Sequence, residues 1–199
     1  MKLKFGVASL IIMLTLVFKS NAQQDPQFSQ NMHNKLLFNP AYAGMNDGIC
    51  VYTIARQQWV GFEGRPETYL FGGHGTFIIP GINLRSGGGL VITGDALGQM
   101  HFTSIKASYS AHIPLNLIAS DIGYLGIGFS AGWLQFGLGN NWRSTNPYFS
   151  DPSIPDEGFQ SSAFDMDLGL YYKTNRMFIG ASLTHLNGAS FADSGPGLA

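Results

Sequence analysis

Residues 102–113 read Phe102-Thr103-Ser104-Ile105-Lys106-Ala107-Ser108-Tyr109-Ser110-Ala111-His112-Ile113, and their alternation decides the fold class. Successive side chains of an extended chain point to opposite faces. Ser104, Lys106, Ser108, Ser110 and His112 therefore share one face, and Ile105, Ala107, Tyr109, Ala111 and Ile113 share the other. A strand that is wet on one side and apolar on the other suits the wall of a transmembrane barrel with a polar interior. In residues 124–138 the pattern recurs with smaller residues: Gly126, Gly128, Ser130 and Gly132 alternate with Leu125, Ile127, Phe129, Ala131 and Trp133. Here the small face is expected to look into the lumen.

Working outward, residues 48–56, 67–77, 88–95, 164–173 and 177–186 carry the same signals, β-branched and aromatic residues bounded by Gly, Pro, Asn and Asp. With the two runs above they make about seven strands, most near the roughly 9 to 11 residues of a tilted crossing. The expected fold class is all-β, an antiparallel transmembrane outer-membrane β-barrel. With a periplasmic N-terminus, the longest connection, residues 139–163, falls outside, where such barrels place long loops, and the tight turn at Thr174-Asn175-Arg176 falls inside. The connection near Ala96-Leu97-Gly98 is short for an outer one. Bacterial barrels have even strand numbers, and residues 189–199 include no aromatic-ended closing strand. The expectation is part of a larger barrel, with other strands outside this sequence.

Composition supports the membrane. Only 12% of residues are charged, against roughly 25% in soluble domains, while 26 Gly, 15 Phe and 8 Tyr are present. Beyond residue 20 no apolar run approaches the ~18 residues of a spanning helix, and in lipid only helices and closed sheets satisfy the backbone. The formal net charge of -1 carries no basic footprint for nucleic acid. A single cysteine, Cys50, allows no intrachain disulfide.

Three segments follow. Residues 1–22 read as a signal peptide: Lys2 and Lys4 precede an apolar stretch from Phe5 to Phe18, and Ser20-Asn21-Ala22 offers a small-x-small cleavage site. An uncleaved anchor is the competing reading, disfavoured by the short apolar run. Residues 23–47 are polar around Leu36-Leu37-Phe38, and Pro40 biases Asn39 away from helix. They are expected to form a helical turn and an extended lead-in, a periplasmic or plug-like segment ahead of the barrel strands in 48–199.

Motifs that carry chemistry elsewhere have plainer readings. Gly126-x-Gly128-x-x-Ala131 lies inside an alternating strand instead of at a strand-to-helix turn. Arg85-Ser86-Gly87-Gly88-Gly89 lacks a following Gly-Lys-Ser/Thr and reads as a hairpin turn feeding a strand. His33, His74, His101, His112 and His185 are scattered without zinc-type spacing. Asp151, Asp156 and Glu157 lack the alternating ligands of a calcium loop. Asp165 and Asp167 share one strand face with no histidine nearby in sequence, so lumen solvation is expected instead of acid–base work. Tyr69, Phe71, Tyr109, Tyr124, Trp133, Tyr171 and Tyr172 are expected to form interfacial girdles. No catalytic, cofactor or metal residue is assigned, and no enzyme is expected.

Gln24-Asp25-Pro26-Gln27-Phe28-Ser29-Gln30 and Asn39-Pro40-Ala41-Tyr42-Ala43-Gly44 resemble the opening signature of the PorP/SprF family of type IX secretion system membrane proteins. Arg56-Gln57-Gln58-Trp59-Val60-Gly61-Phe62, Pro66-Glu67-Thr68, Ser108-Tyr109-Ser110 and Leu168-Gly169-Leu170-Tyr171-Tyr172 extend the likeness through nearly all of the mature chain. His33 and Lys35 depart from a stretch that is usually more apolar in the family. The resemblance implies an outer-membrane barrel that works with other type IX components on the periplasmic side to export or retain surface proteins, such as gliding adhesins. Asp25, Pro26, Gln27, Phe28, Asn39, Pro40 and Tyr42 are the expected partner-binding residues, with a plug or tether as the plainer role of their segment. The alternatives are a passive outer-membrane porin or hydrophobic-solute transporter, which would conduct alone in planar bilayers, and a secreted β-sandwich, which would leave washed membranes at high pH.

Overall fold

A computed structural model of the chain describes residues 28–115, 121–139 and 158–188. Seven strands follow one another: β1 (Ile49–Gln57), β2 (Glu67–Ile79), β3 (Leu84–Leu97), β4 (Met100–Pro114), β5 (Tyr124–Leu138), β6 (Phe159–Lys173) and β7 (Phe178–Leu183). Each pairs antiparallel with the next, giving a meander in the order β1-β2-β3-β4-β5-β6-β7, a half-barrel in which β1 and β7 have one neighbour each among the described residues. No described helix is long and apolar enough to cross a membrane.

The side-chain alternation reads directly as inside and outside. On β4, Ser104, Lys106, Ser108, Ser110 and His112 are buried in the concave face, whereas Ile105, Tyr109 and Ile113 are exposed on the convex one. The convex face continues with Ile49 and Val51, Tyr69 and Phe71, Leu90 and Ile92, Ile127, Phe129 and Trp133, and Phe164, Leu168 and Leu170, all exposed. Thr68, His74, Thr93, Ser130, Asp165 and Asp167 lie buried on the concave face. A water-soluble sheet would invert this distribution, because roughly 1.5–3 kcal/mol is gained for each large apolar side chain taken out of water.

Strand positions agree with the alternation where alternation exists, and β5 has the expected bounds. β3 begins at Leu84 instead of 88, so Arg85 to Gly89 is strand and not a hairpin turn: Arg85 faces Ile78, and Gly88 sits between Gly75 and Tyr109. The turn lies earlier, where Gly81 (φ 95°) and Asn83 (φ 53°) take left-handed backbone. β6 begins at Phe159, which shortens the longest connection; residues 140–157 of that connection lie outside the described residues. The β6–β7 turn is tight, closed by Thr174 N–H donating to the Met177 carbonyl at 2.9 Å.

Ahead of β1 the chain runs through a single helical turn, Lys35–Phe38, and a 3-10 turn, Pro40–Tyr42, both against the concave face. Leu36 and Ala43 pack there with Leu70 of β2 and Val91 of β3, joined by the half-buried Phe28, Leu37, Tyr52 and Ile54. A second cluster joins Ala41, Met45 and Tyr171.

Candidate functional site

The sequence Asn39-Pro40 determines how the N-terminal segment meets the strands. Asn39 is extended (φ -146°, ψ 109°) and its Oδ1 accepts from Ala41 N–H at 2.9 Å, capping the turn whose first residue is Pro40. A proline costs nothing there, since the first N–H of a turn has no partner to lose. With Oδ1 used locally, Nδ2 is left to donate to the carbonyls of Leu170 on β6 (3.0 Å) and Ala181 on β7 (3.2 Å).

The rest of the segment is fastened strand by strand. Ser110 Oγ donates to the Ala41 carbonyl at 3.1 Å, and His112 Nε2 reaches the Ala43 carbonyl at 2.9 Å. Gly44 N–H donates to His74 Nδ1 at 3.2 Å, and Thr76 Oγ1 bonds the Gly44 carbonyl at 2.6 Å. Lys173 Nζ donates to Asn46 Oδ1 at 2.6 Å and to the Met45 carbonyl at 3.3 Å. Each such bond is worth about 0.5–1.5 kcal/mol net. Glycines make the approach possible: a Cβ at Gly87 would strike the Ala43 carbonyl, at Gly89 the Leu36 side chain, at Gly128 the backbone of Ala41 and Pro40, and at Gly169 Asn39. The small lumen face of β5 is thus a bed for the segment and not open space.

Tyr42 sits between His74 (ring centroids 5.2 Å) and Tyr171 (5.3 Å), both edge-on. Burial raises the pKa of its hydroxyl above the usual tyrosine value. Lys35 holds its ammonium 3.8 Å from the Phe178 ring centroid and 3.5 Å from Tyr171 Oη. Burial first, and the nearby Lys173 second, lower its pKa.

A second cluster lies farther along the concave face, where Lys106, Gly132 and Asp165 are in register across β4, β5 and β6. Gly132 leaves a path for the Lys106 side chain, since a Cβ there would meet Lys106 Cγ at 2.7 Å. Lys106 Nζ crosses it to lie 2.6 Å from Asp165 Oδ2 and 2.9 Å from Asp167 Oδ2. Asp167 Oδ2 also accepts from Ser130 Oγ at 2.5 Å. His185 arrives from beyond β7: its N–H donates to Asp167 Oδ1 and its Nδ1 faces Asp165 Oδ1, each at 3.0 Å. Both carboxylates are buried. They are ion-paired instead of solvated, and a histidine does stand beside them, which corrects the sequence expectation.

Of the expected partner-binding residues, Asn39 and Pro40 are buried and Tyr42 and Phe28 half-buried against the strands, while Asp25, Pro26 and Gln27 lie outside the described residues. Of the expected girdle, Tyr69, Phe71, Tyr109 and Trp133 are exposed on the convex face. Tyr171 is not part of it, because it shares the inward parity of Asp165, Asp167 and Gly169 and is buried under Tyr42; Tyr172 is also buried and Tyr124 half-buried. His185 was missed because it lies 18 residues from Asp167 and 20 from Asp165, beyond β7 and off the strand that carries the carboxylates it meets.

An antiparallel meander with an apolar convex face and a concave face of buried hydroxyls and ion pairs is the wall of a membrane β-barrel. The chain belongs to the PorP/SprF family, described as type IX secretion system membrane protein PorP/SprF, which matches residues 20–197. Neither the curated proteins nor the solved structures yield a match.

Proposed function

We propose that the chain is a non-enzymatic outer-membrane barrel of the type IX secretion system that assists the export or surface retention of secreted proteins such as gliding adhesins. It reaches the outer membrane by way of a cleaved signal peptide, residues 1–22, and acts through other type IX components on the periplasmic side. The observation that carries this reading, against a passive porin, is the fastening of residues 34–46 to β2 through β7 by side chains and by a bed of glycines. An open pore for solutes needs a water-filled lumen, and here the chain lays its own segment along the lumen face.

Within the segment Asn39, Pro40 and Tyr42 hold it in place against the strands, and Asp25, Pro26, Gln27 and Phe28 are the residues through which it engages the partner. Affinity purification of the tagged protein from native outer membranes tests the reading, with a variant lacking residues 25–33 beside the intact chain. The expected result is co-purification of type IX components with the intact chain, loss of them from the shortened one, and no conductance from either in planar bilayers. Stable ion conductance by the intact chain alone, with no co-purifying partner, would establish the porin instead.

A further inference from the structure

The turn after β7 carries a departure from alternation that the secretion role does not use. Leu183 pairs with Leu168, so unbroken pairing would put residue 185 opposite Met166. Instead Leu186 N–H donates to the Met166 carbonyl at 2.9 Å, one residue later, and His185 takes left-handed backbone at φ 55°. The extra residue is a bulge, a device that re-aims a side chain. Its effect is to bring His185, which regular alternation would turn outward, onto Asp165 and Asp167.

Three further observations point to a ligand. His185, Asp165 and Asp167 each offer a ligand atom, all within 4.8 Å of one another. Asp165 Oδ2, fully buried, has the Lys106 ammonium at 2.6 Å as its ion-pair partner, so the seat between the carboxylates is already one that a cation fills. Beside the cluster lies a cavity of about 180 Å³ lined by Thr93, Ser104, Lys106, Leu134, Thr184 and His185, among others. Thr93, one of the lining residues and 2% exposed, has a hydroxyl with no hydrogen-bond partner among the described residues.

We propose that Asp165, Asp167 and His185 form a binding site for a divalent transition-metal ion of the zinc type, and that Lys106 occupies its seat when the ion is away. One imidazole nitrogen with two carboxylate oxygens is a donor set such ions accept at about 2.0–2.2 Å. Tetrahedral ligands at that radius stand roughly 3.4 Å apart, so binding draws in the more distant atoms of the set and slightly widens the His185–Asp165 pair, now at 3.0 Å. One ammonium against two buried carboxylates leaves the cluster one positive charge short when His185 is neutral, and a divalent ion supplies it. On binding, Lys106 leaves the carboxylates for the cavity, where its ammonium donates a hydrogen bond to the Thr93 hydroxyl oxygen. His185 coordinates through Nδ1 with its proton on Nε2.

Competition between ion and ammonium gives the test its sign. The mature chain in detergent is titrated with Co²⁺, read by its visible absorption, and with Zn²⁺, read by calorimetry, for the native sequence, Asp165→Asn, His185→Ala and Lys106→Met. The expected result is one ion per chain, removable by a chelator, with affinity falling at least tenfold in the first two variants and rising at least tenfold in Lys106→Met. The gain in Lys106→Met keeps the test decisive if the loss variants fail to fold. Overturning results are no ion bound by either the native chain or Lys106→Met, no gain in Lys106→Met, or binding that survives His185→Ala.

Discussion

Gly128→Ala adds one methyl group on the lumen face of β5, at the point where the N-terminal segment comes closest. The new Cβ would sit nearer than 3.0 Å to backbone atoms of Ala41 and Pro40, and backbone cannot rotate aside as a flexible side chain would. Two outcomes compete. Accommodation by small shifts costs about 1–3 kcal/mol, the usual range for overpacking. Eviction forfeits at least the bonds from Ser110 to Ala41, His112 to Ala43 and Asn39 to Leu170, about 1.5–4.5 kcal/mol together, besides the apolar contacts of Leu36 and Ala43. Accommodation is the cheaper, so Gly128→Ala keeps the segment docked and loses about 1–3 kcal/mol, a roughly 5- to 150-fold change in the unfolding constant. Gly128→Leu exceeds what shifting can absorb and evicts the segment. Urea titration of the protein folded into lipid vesicles, followed by tryptophan fluorescence, measures the loss. Protease susceptibility of residues 28–48 reports eviction. Gly94→Ala is the control, because a Cβ there meets nothing within 4 Å. Equal stability of Gly128→Ala and Gly94→Ala would refute the docking argument.

Ala107→Arg, on the convex face near the middle of β4, is expected to cost about 2–4 kcal/mol, and Thr103→Arg, four residues nearer the rim on the same face, about 0–1 kcal/mol; vesicle-based urea titrations compare them. Lys106→Met, without added metal, leaves two buried carboxylates facing each other and is expected to lose about 3–5 kcal/mol in the same titration. Combining it with Asp165→Asn and Asp167→Asn should restore most of that, since the unpaired charge and not the missing amine is the penalty. Asn39→Ala removes the donors to Leu170 and Ala181 together with the cap on Ala41, and about 1–3 kcal/mol should be lost by the same measure.

The barrel wall was legible because period-two alternation encodes two faces with opposite solvents, as residues 102–113 and 124–138 illustrate. It failed at residues 85–89, where three glycines carry no face and resemble a turn; at Gly87 and Gly89 the reason is the approach of Ala43 and Leu36, which only the folded chain reveals. Residues 34–46 could be read as a plug-like segment, but not how they are fastened, for a related reason: most of the bonds run to backbone carbonyls, which every residue has. Asn39-Pro40 could be read as leaving the helix, but not which carbonyls its amide would reach. The ion cluster was half legible. Asp165, Asp167 and Lys106 fall on inward parity in their own strands, yet the register that aligns Lys106 with Asp165 through Gly132 is a property of three strands together. His185 obeys no parity, because a one-residue bulge reverses it.

The central claim, that this sheet stands in a bilayer with its convex face in lipid and its concave face filled by protein, is tested most directly by a cysteine scan of residues 104–113. Cys50, the sole native cysteine, is first replaced by Ser. A spin label at each position in turn is assayed in lipid vesicles for collision with oxygen, which partitions into lipid, and with a water-soluble nickel complex. The account predicts high oxygen access at residues 105, 107, 109, 111 and 113 and low access to both reagents at 104, 106, 108, 110 and 112. Nickel access at the odd positions, or the absence of a two-residue period, would contradict it.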